Sequence, residues 1–239
     1  MTPHAEPTAT THPRIPPRRG GGSGTWWSKA VLRAVEEAAF GEKELRAGRA
    51  LARSGAVGAI TVDEGGAVAA VTEGQDAFTV EVTVPVLDDA DAAAFTELVA
   101  AESGRIAALL AGQLPHSFVE AVEEAGVELL PYGGELGSAC TCDAWLDPCP
   151  HALAVLTQLA WLIQADPFVL THLRGLARER VLRDLHRLRQ PAAGSSPGGE
   201  SPEDAAADGP DDVDDLVVAE DAAVRAARLL RLESPFDSW

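Results

Sequence analysis

Alternating apolar and polar positions mark residues 57–84 as sheet. The stretches 57–62, 67–72 and 78–84 are rich in valine, isoleucine and threonine, side chains that suit a pleated, half-buried surface. Asp63-Glu64-Gly65-Gly66 and Glu73-Gly74-Gln75-Asp76 separate them with turn-forming residues. The pattern predicts a three-stranded antiparallel meander. Phe78, Val80, Val82 and Val84 recur at every second residue, so one face of it should be buried.

Elsewhere the apolar period is three to four residues, the signature of helix. Trp26 and Trp27 open a helix whose apolar positions run through Val31, Leu32, Val35 and Phe40. A basic helix over 42–53 follows and stops at Ser54-Gly55. Helices are predicted over 88–111, with Phe95, Leu98, Ile106, Leu109 and Leu110 as core, and over 114–126, ending at Gly126. Residues 151–164 carry Leu153, Leu156, Ala160 and Ile163 along one face. Asp166 and Pro167 are the N-cap and first residue of a further helix, running through Phe168, Leu170 and Leu173 to Gly175. Residues 176–189 form an arginine-rich amphipathic helix. There are no internal repeats.

The two ends lack a folded pattern. Residues 1–24 are rich in Pro, Gly, Thr and Arg and read as a disordered arm. Residues 190–212, rich in Pro, Gly, Ser and acids, read as a disordered linker. A last amphipathic helix lies within 213–239, its apolar face carrying Leu216, Val217, Val224, Leu229 and Leu230. The expected fold is α+β: a small antiparallel meander with several helices, organised as an α+β segment over 25–138 and a distinct segment over 139–189.

Hydrophobic residues make up 46% of the 239, enough for a core. The formal net charge of −18 argues against a protein whose whole surface binds nucleic acid. The charge is uneven. Residues 56–138 hold one basic residue, Arg105, against fifteen acids, whereas 139–189 hold six arginines against five acids. An anion would be drawn to the latter segment, or to the basic stretch 29–53. The start of the chain has no apolar signal-peptide core, and no apolar run approaches the length that spans a bilayer. A cytoplasmic protein without membrane contact is expected.

All three cysteines fall within ten residues, and with a histidine they form the pattern CxCx6CxH: Cys140, Cys142, Cys149 and His151. An odd number of cysteines cannot all pair in disulfides. Three thiolates and an imidazole are a common tetrahedral donor set for structural zinc. The CxC step puts two thiolates on one side of a strand or knuckle. Asp147-Pro148 supplies the turn that returns the chain, and Cys149 and His151 close the site at a helix start, where thiolate is favoured. Four protein ligands leave no open position for catalysis, so one structural zinc ion and no enzyme activity are expected. Trp145 is expected to pack over the knuckle. Unrelated buried cysteines, or a redox CxC pair, are the competing readings; each leaves part of the cluster unexplained.

The segment CTCDAWLDPCPHALAVL resembles the SWIM zinc finger, whose pattern is CxC, a variable gap, then CxH. The resemblance to bacterial SWIM-domain proteins extends to Asp143 and Trp145, to Pro148-Cys149-Pro150-His151, to Asp166-Pro167-Phe168, to Leu173-Arg174-Gly175, and upstream to Gly48-Arg49-Ala50-Leu51-Ala52-Arg53-Ser54-Gly55-Ala56-Val57. It covers Trp26 to about Arg189. Pro150 stands where the family pattern has a lysine, and Ala144 separates Asp143 from Trp145; neither change removes a ligand. The resemblance implies a zinc-dependent module for protein or DNA contact, working beside a Swi/Snf-type helicase-like ATPase. This chain carries no phosphate-binding GxxxxGK segment, so such a motor would be a separate protein partner.

The first functional reading is therefore a protein-interaction adaptor. The second is direct nucleic-acid binding through the finger and a row of arginines, Arg174, Arg178, Arg180, Arg183, Arg187 and Arg189, several of which share a helix face. The competing view of that row is a solvated face paired with the protein's own acids. Trp26, Trp27, Trp145 and Trp161 are candidate stacking platforms, though tryptophans more often serve as core or interface. His172 and His186 are expected on the surface; His4 and His12 belong to the arm, and His116 is isolated.

Overall fold

A computed structural model describes residues 9–19 and 24–189. The linker 190–212, the helix within 213–239, His4 and the start of the arm lie outside the described residues. The predicted hairpins form as read. Strands β2 (Val57–Asp63), β3 (Gly66–Glu73) and β4 (Asp76–Thr83) pair antiparallel in that order. Gly65 and Gly74 make the two turns with φ of 78° and 65°, a backbone region that glycine enters without steric cost. Alternate side chains Ala67, Ala69, Val71, Val80 and Val82 are buried, so the meander has one covered face. In β2 a register shift between Val57 and Ile60 lets both point inward despite their three-residue spacing.

The sheet has five strands, not three. Strand β5 (Gly137–Cys140) adds to β4, and β1 (Thr10–His12) adds to β2, giving the order β1-β2-β3-β4-β5, all antiparallel. The expected disordered arm is thus corrected for residues 9–19. A strand so short has no readable period; it is ordered by what it touches. Thr10, Thr11 and His12 pair with Val62, Thr61 and Ile60. Ile15 is buried, and the Arg18 guanidinium lies 4.8 Å over the Trp161 ring. Pairing of β5 with β4 also joins the 25–138 and 139–189 segments in one sheet.

Against the covered face lies α6 (Pro150–Ala165). Its residues from His151 to Ala160 are all buried, together with Ile163. A helix apolar on one side only would leave half of these exposed. Here α1 (Trp26–Ala38) and α2 (Glu42–Ser54) close over it from the side away from the sheet. Gln158, fully buried on α6, donates its amide to Ala52 O at 2.8 Å and fixes α2 laterally. Gly48 permits the close approach: a Cβ there would sit 2.6 Å from Leu153 Cβ and 3.0 Å from Pro150 O.

The acidic middle of the chain forms a satellite group. The helix expected over 88–111 is corrected to two, α3 (Asp89–Ala101) and α4 (Ser103–Leu110). Glu102 between them is extended, with φ −133° and ψ 120°, and Arg105 bridges the break by donating to Leu98 O and to the Glu102 carboxylate. With α5 (His116–Glu124) these helices bury Phe95, Phe118, Leu109 and Val122. Leu110, expected in the core, is 45% exposed; Phe40, expected on the apolar face of the first helix, lies past the end of α1 and is 73% exposed. A short helix α7 (Phe168–Leu173), whose Phe168 N–H donates to Asp166, leads to α8 (Arg178–Arg189), which packs on α3.

The Gly48 contact sets the sign of a test. Gly→Ala inside a helix ordinarily stabilises by up to about 1 kcal/mol. At Gly48 the added methyl collides with the first turns of α6, so Gly48→Ala is expected to lower stability by about 1–3 kcal/mol. Chemical denaturation of the variant checks the sign.

Candidate metal centre

Each of the four motif residues is delivered by a different local constraint. Cys140 ends β5, paired with Val80, so it points to the same covered face as Val80. Thr141 continues the pairing: its N–H donates to Thr79 O at 3.1 Å, and its hydroxyl accepts from Thr79 N at 3.0 Å. The chain then turns at Cys142 and passes through a loop over 143–148 whose Asp147 carboxylate accepts a hydrogen bond from the Ser138 hydroxyl on β5. The Asp147–Pro148 peptide is cis. Cys149 is the N-cap of α6, and its sulfur accepts from Ala152 N–H at 3.5 Å. Pro150 takes the first helical position, where no N–H is needed. His151 follows in the first turn.

The donor atoms of Cys140, Cys142, Cys149 and His151 all lie within 4.8 Å of one another. Nδ1 of His151 faces the thiols, 3.8 Å from Cys140 Sγ and 4.0 Å from Cys149 Sγ. Cys149 and His151 are buried and the other two half-buried; none is in a disulfide. Without a metal the thiols divide their protons. Burial pushes the Cys140 thiol up to about 12, and burial also raises Cys149 against the stabilising Ala152 N–H. For Cys142 burial is outweighed by the Ala144 N–H and by donors from His151, Cys140 and Cys149, which hold it at about 7. Among the described residues this is the group that could hold a metal ion.

Two neighbours were not legible in the motif. Glu73, at the end of β3, places Oε2 3.1 Å from His151 Nε2. Phe78 on β4 stacks on the imidazole, ring centroids 4.4 Å apart and planes 28° apart. The alternation Phe78-Val80-Val82 shows that Phe78 faces inward, but nothing in the sequence says that β5 and α6 meet that face.

Other expectations about site residues change. Trp145 does not pack over the knuckle: it is 87% exposed. It borders an open groove with Lys43, Glu44, Ala47, Leu146 and Pro150. Trp27 is core and donates its indole N–H to Ile163 O; Trp26 donates to Leu114 O and lies 4.7 Å from the His116 ring. His172, expected on the surface, is buried, because α7 packs against β2.

The arginine row also divides. Arg174 is 4% exposed and cannot contact a ligand from there. It donates to Pro85 O and Glu128 O, each at 2.7 Å, and lies 4.0 Å from the Glu135 carboxylate. Burial lowers its pKa, opposed by Glu135, Glu128 and Asp91. Arg180 is half-buried, donating to Gly175 O and lying 3.7 Å from Asp89 and 3.9 Å from Asp184. Arg187 pairs with Asp184 at 3.1 Å. Arg178, Arg183, Arg187 and Arg189 are exposed on α8.

Fold and site together define a mixed α/β protein with a five-stranded antiparallel sheet and a Cys3His group able to hold a metal ion. No family model matches the chain, and no solved structure matches it. It is 30% identical over 191 residues to a Mycobacterium tuberculosis (strain ATCC 25618 / H37Rv) protein named "Uncharacterized protein Rv2102", a match covering 79% of this chain and 68% of that one. The chain belongs to the same family as that protein. No helix among the described residues is long and apolar enough to cross a membrane.

The two kinds of arginine are separable by mutation. Arg174→Met removes a buried cation together with its hydrogen bonds to Pro85 O and Glu128 O and its approach to the half-buried Glu135 carboxylate, and should cost about 3 kcal/mol of stability. Arg183→Glu, on the exposed face of α8, should change stability by less than about 0.5 kcal/mol. Denaturant titration of both variants measures the contrast.

Proposed function

We propose that Cys140, Cys142, Cys149 and His151 hold one zinc ion as a closed structural site, and that the protein is a non-catalytic, SWIM-type binding module acting as a protein-interaction adaptor. The observation carrying this reading is the convergence of four soft or borderline donors, and no carboxylate among them, within 4.8 Å. Zinc takes such donors at about 2.0–2.3 Å in a tetrahedron, which needs only a small contraction of the set. Thiolate donors disfavour magnesium and calcium. When bound, the ion would cross-link β5 to the start of α6 and hold the loop between them; four protein donors leave it no open position for substrate.

Two features favour a protein partner over nucleic acid. Trp145 is large, apolar and 87% exposed on that same loop, the kind of side chain that anchors interfaces. The arginine row is partly spent within the fold, through Arg174 at the end of α7 and, on α8, through Arg180 and the Arg187–Asp184 pair. The resemblance to SWIM proteins points to a Swi/Snf-type helicase-like ATPase as partner. Direct nucleic-acid binding is the second reading, favoured by the exposed Arg178, Arg183 and Arg189.

Purified protein should carry one zinc per chain by elemental analysis. Chelation should increase hydrogen exchange over 141–151, the loop and the first residues of α6, since metal binding and local folding are coupled; Cys142→Ser and His151→Ala should do the same. Affinity should fall as pH falls, because zinc must displace protons from the raised Cys140 and Cys149 thiols and, near pH 7, from Cys142. A pH series of zinc titrations against a competing chelator reads this; a pH-independent affinity would contradict thiolate ligation.

The adaptor role is tested by affinity capture from the native host, with and without nuclease, beside Cys149→Ser and Trp145→Ala. A nuclease-resistant partner lost in both variants is the expected result, with zinc retained in Trp145→Ala. Recovery only through nucleic acid, abolished by Arg183→Glu, would favour the second reading.

A further inference from the structure

We infer that Glu73 is a positioning residue of the metal centre, selecting Nδ1 of His151 as the atom that binds the ion. This inference rests on the zinc reading above. An imidazole has two nitrogens, and in its neutral form only the one without a proton can ligate. Which one that is depends on the partner the other nitrogen finds. Here Nδ1 faces the thiols at 3.8 and 4.0 Å, and Nε2 faces Glu73 Oε2 at 3.1 Å. A carboxylate accepts and cannot donate, so it holds the proton on Nε2 and leaves the Nδ1 lone pair directed at the sulfurs. Phe78, stacked on the ring at 4.4 Å, limits its rotation. A carboxylate behind a metal-bound histidine both orients the ring and strengthens it as a donor.

Glu73 is placed to do this without being part of the core. It sits beside the β3–β4 turn, paired in register with Asp76, and its side chain is 61% exposed. The hairpin therefore should form without it, whereas the imidazole, 8% exposed, has Glu73 as its Nε2 partner among the described residues. A residue outside the CxCx6CxH motif, 78 positions from the histidine it serves, thus becomes part of the site.

The test uses the full chain and zinc ion, with Glu73→Ala and Glu73→Gln. Affinity is read by chelator competition, and the His151 tautomer by long-range proton–nitrogen NMR correlations. Glu73→Ala is expected to weaken zinc binding about ten- to a hundredfold and to populate the other tautomer in the metal-free protein. Melting of the metal-free protein should be unchanged. In Glu73→Gln the amide oxygen can still accept from Nε2–H, so most of the affinity and the wild-type tautomer should return. Zinc affinity of Glu73→Ala within twofold of wild type overturns the inference, as does weaker binding with an unchanged tautomer. If the wild-type protein itself binds no zinc, the Cys3His reading fails first and this inference with it.

Discussion

The first turn of α6 is the constraint on which the rest of the molecule depends. Cys149 caps it, His151 projects from it, and Leu153 and Ala154 press it against Gly48 of α2. The helix then runs buried across the sheet for most of its length. A helix enclosed in this way has little freedom to shift or rotate, because interiors are close-packed and displacement opens voids. The position of Cys149 and His151 is therefore fixed by the hydrophobic core and not by the metal motif alone. The opposite half of the site, Cys140, is fixed just as firmly by strand register with Val80.

This explains the uneven division of labour in the cluster. The sheet and the helix supply rigid donors, while Cys142 and the loop over 143–148 are tied by fewer contacts, chiefly the Ser138–Asp147 hydrogen bond. On the zinc reading, the ion would cross-link a strand and a helix that packing has already brought together, and would chiefly order the loop. That loop carries Trp145 into solvent. An exposed indole gains no burial energy in the free protein and can bury its large apolar area against a partner's surface, which is why the adaptor reading places the contact there.

Charge acts at two levels. The acidic middle of the chain makes the satellite helices and surrounds Arg174, whose cation is buried against two carbonyls and near Glu135. A buried guanidinium needs such partners. The segment 139–189 therefore contributes its first arginine to architecture, and within it the exposed arginines lie on the outer face of α8.

Much of this was legible in the chain. Period-two alternation gave β2, β3 and β4, the Gly-containing turns gave their hairpins, and CxCx6CxH gave all four residues of the cluster, since these signals are local. Short elements were not legible: Thr10–His12 is a strand because β2 offers it an edge, and the break at Glu102 interrupts an otherwise helical pattern. Nor could sequence distinguish buried Arg174 and His172 from their exposed neighbours, or foresee exposed Trp145. Those outcomes, and the placing of Glu73 and Phe78 around His151, depend on which surfaces meet across tens of residues. Local periodicity determines what a segment can become and which side is apolar; only tertiary packing decides what that side faces.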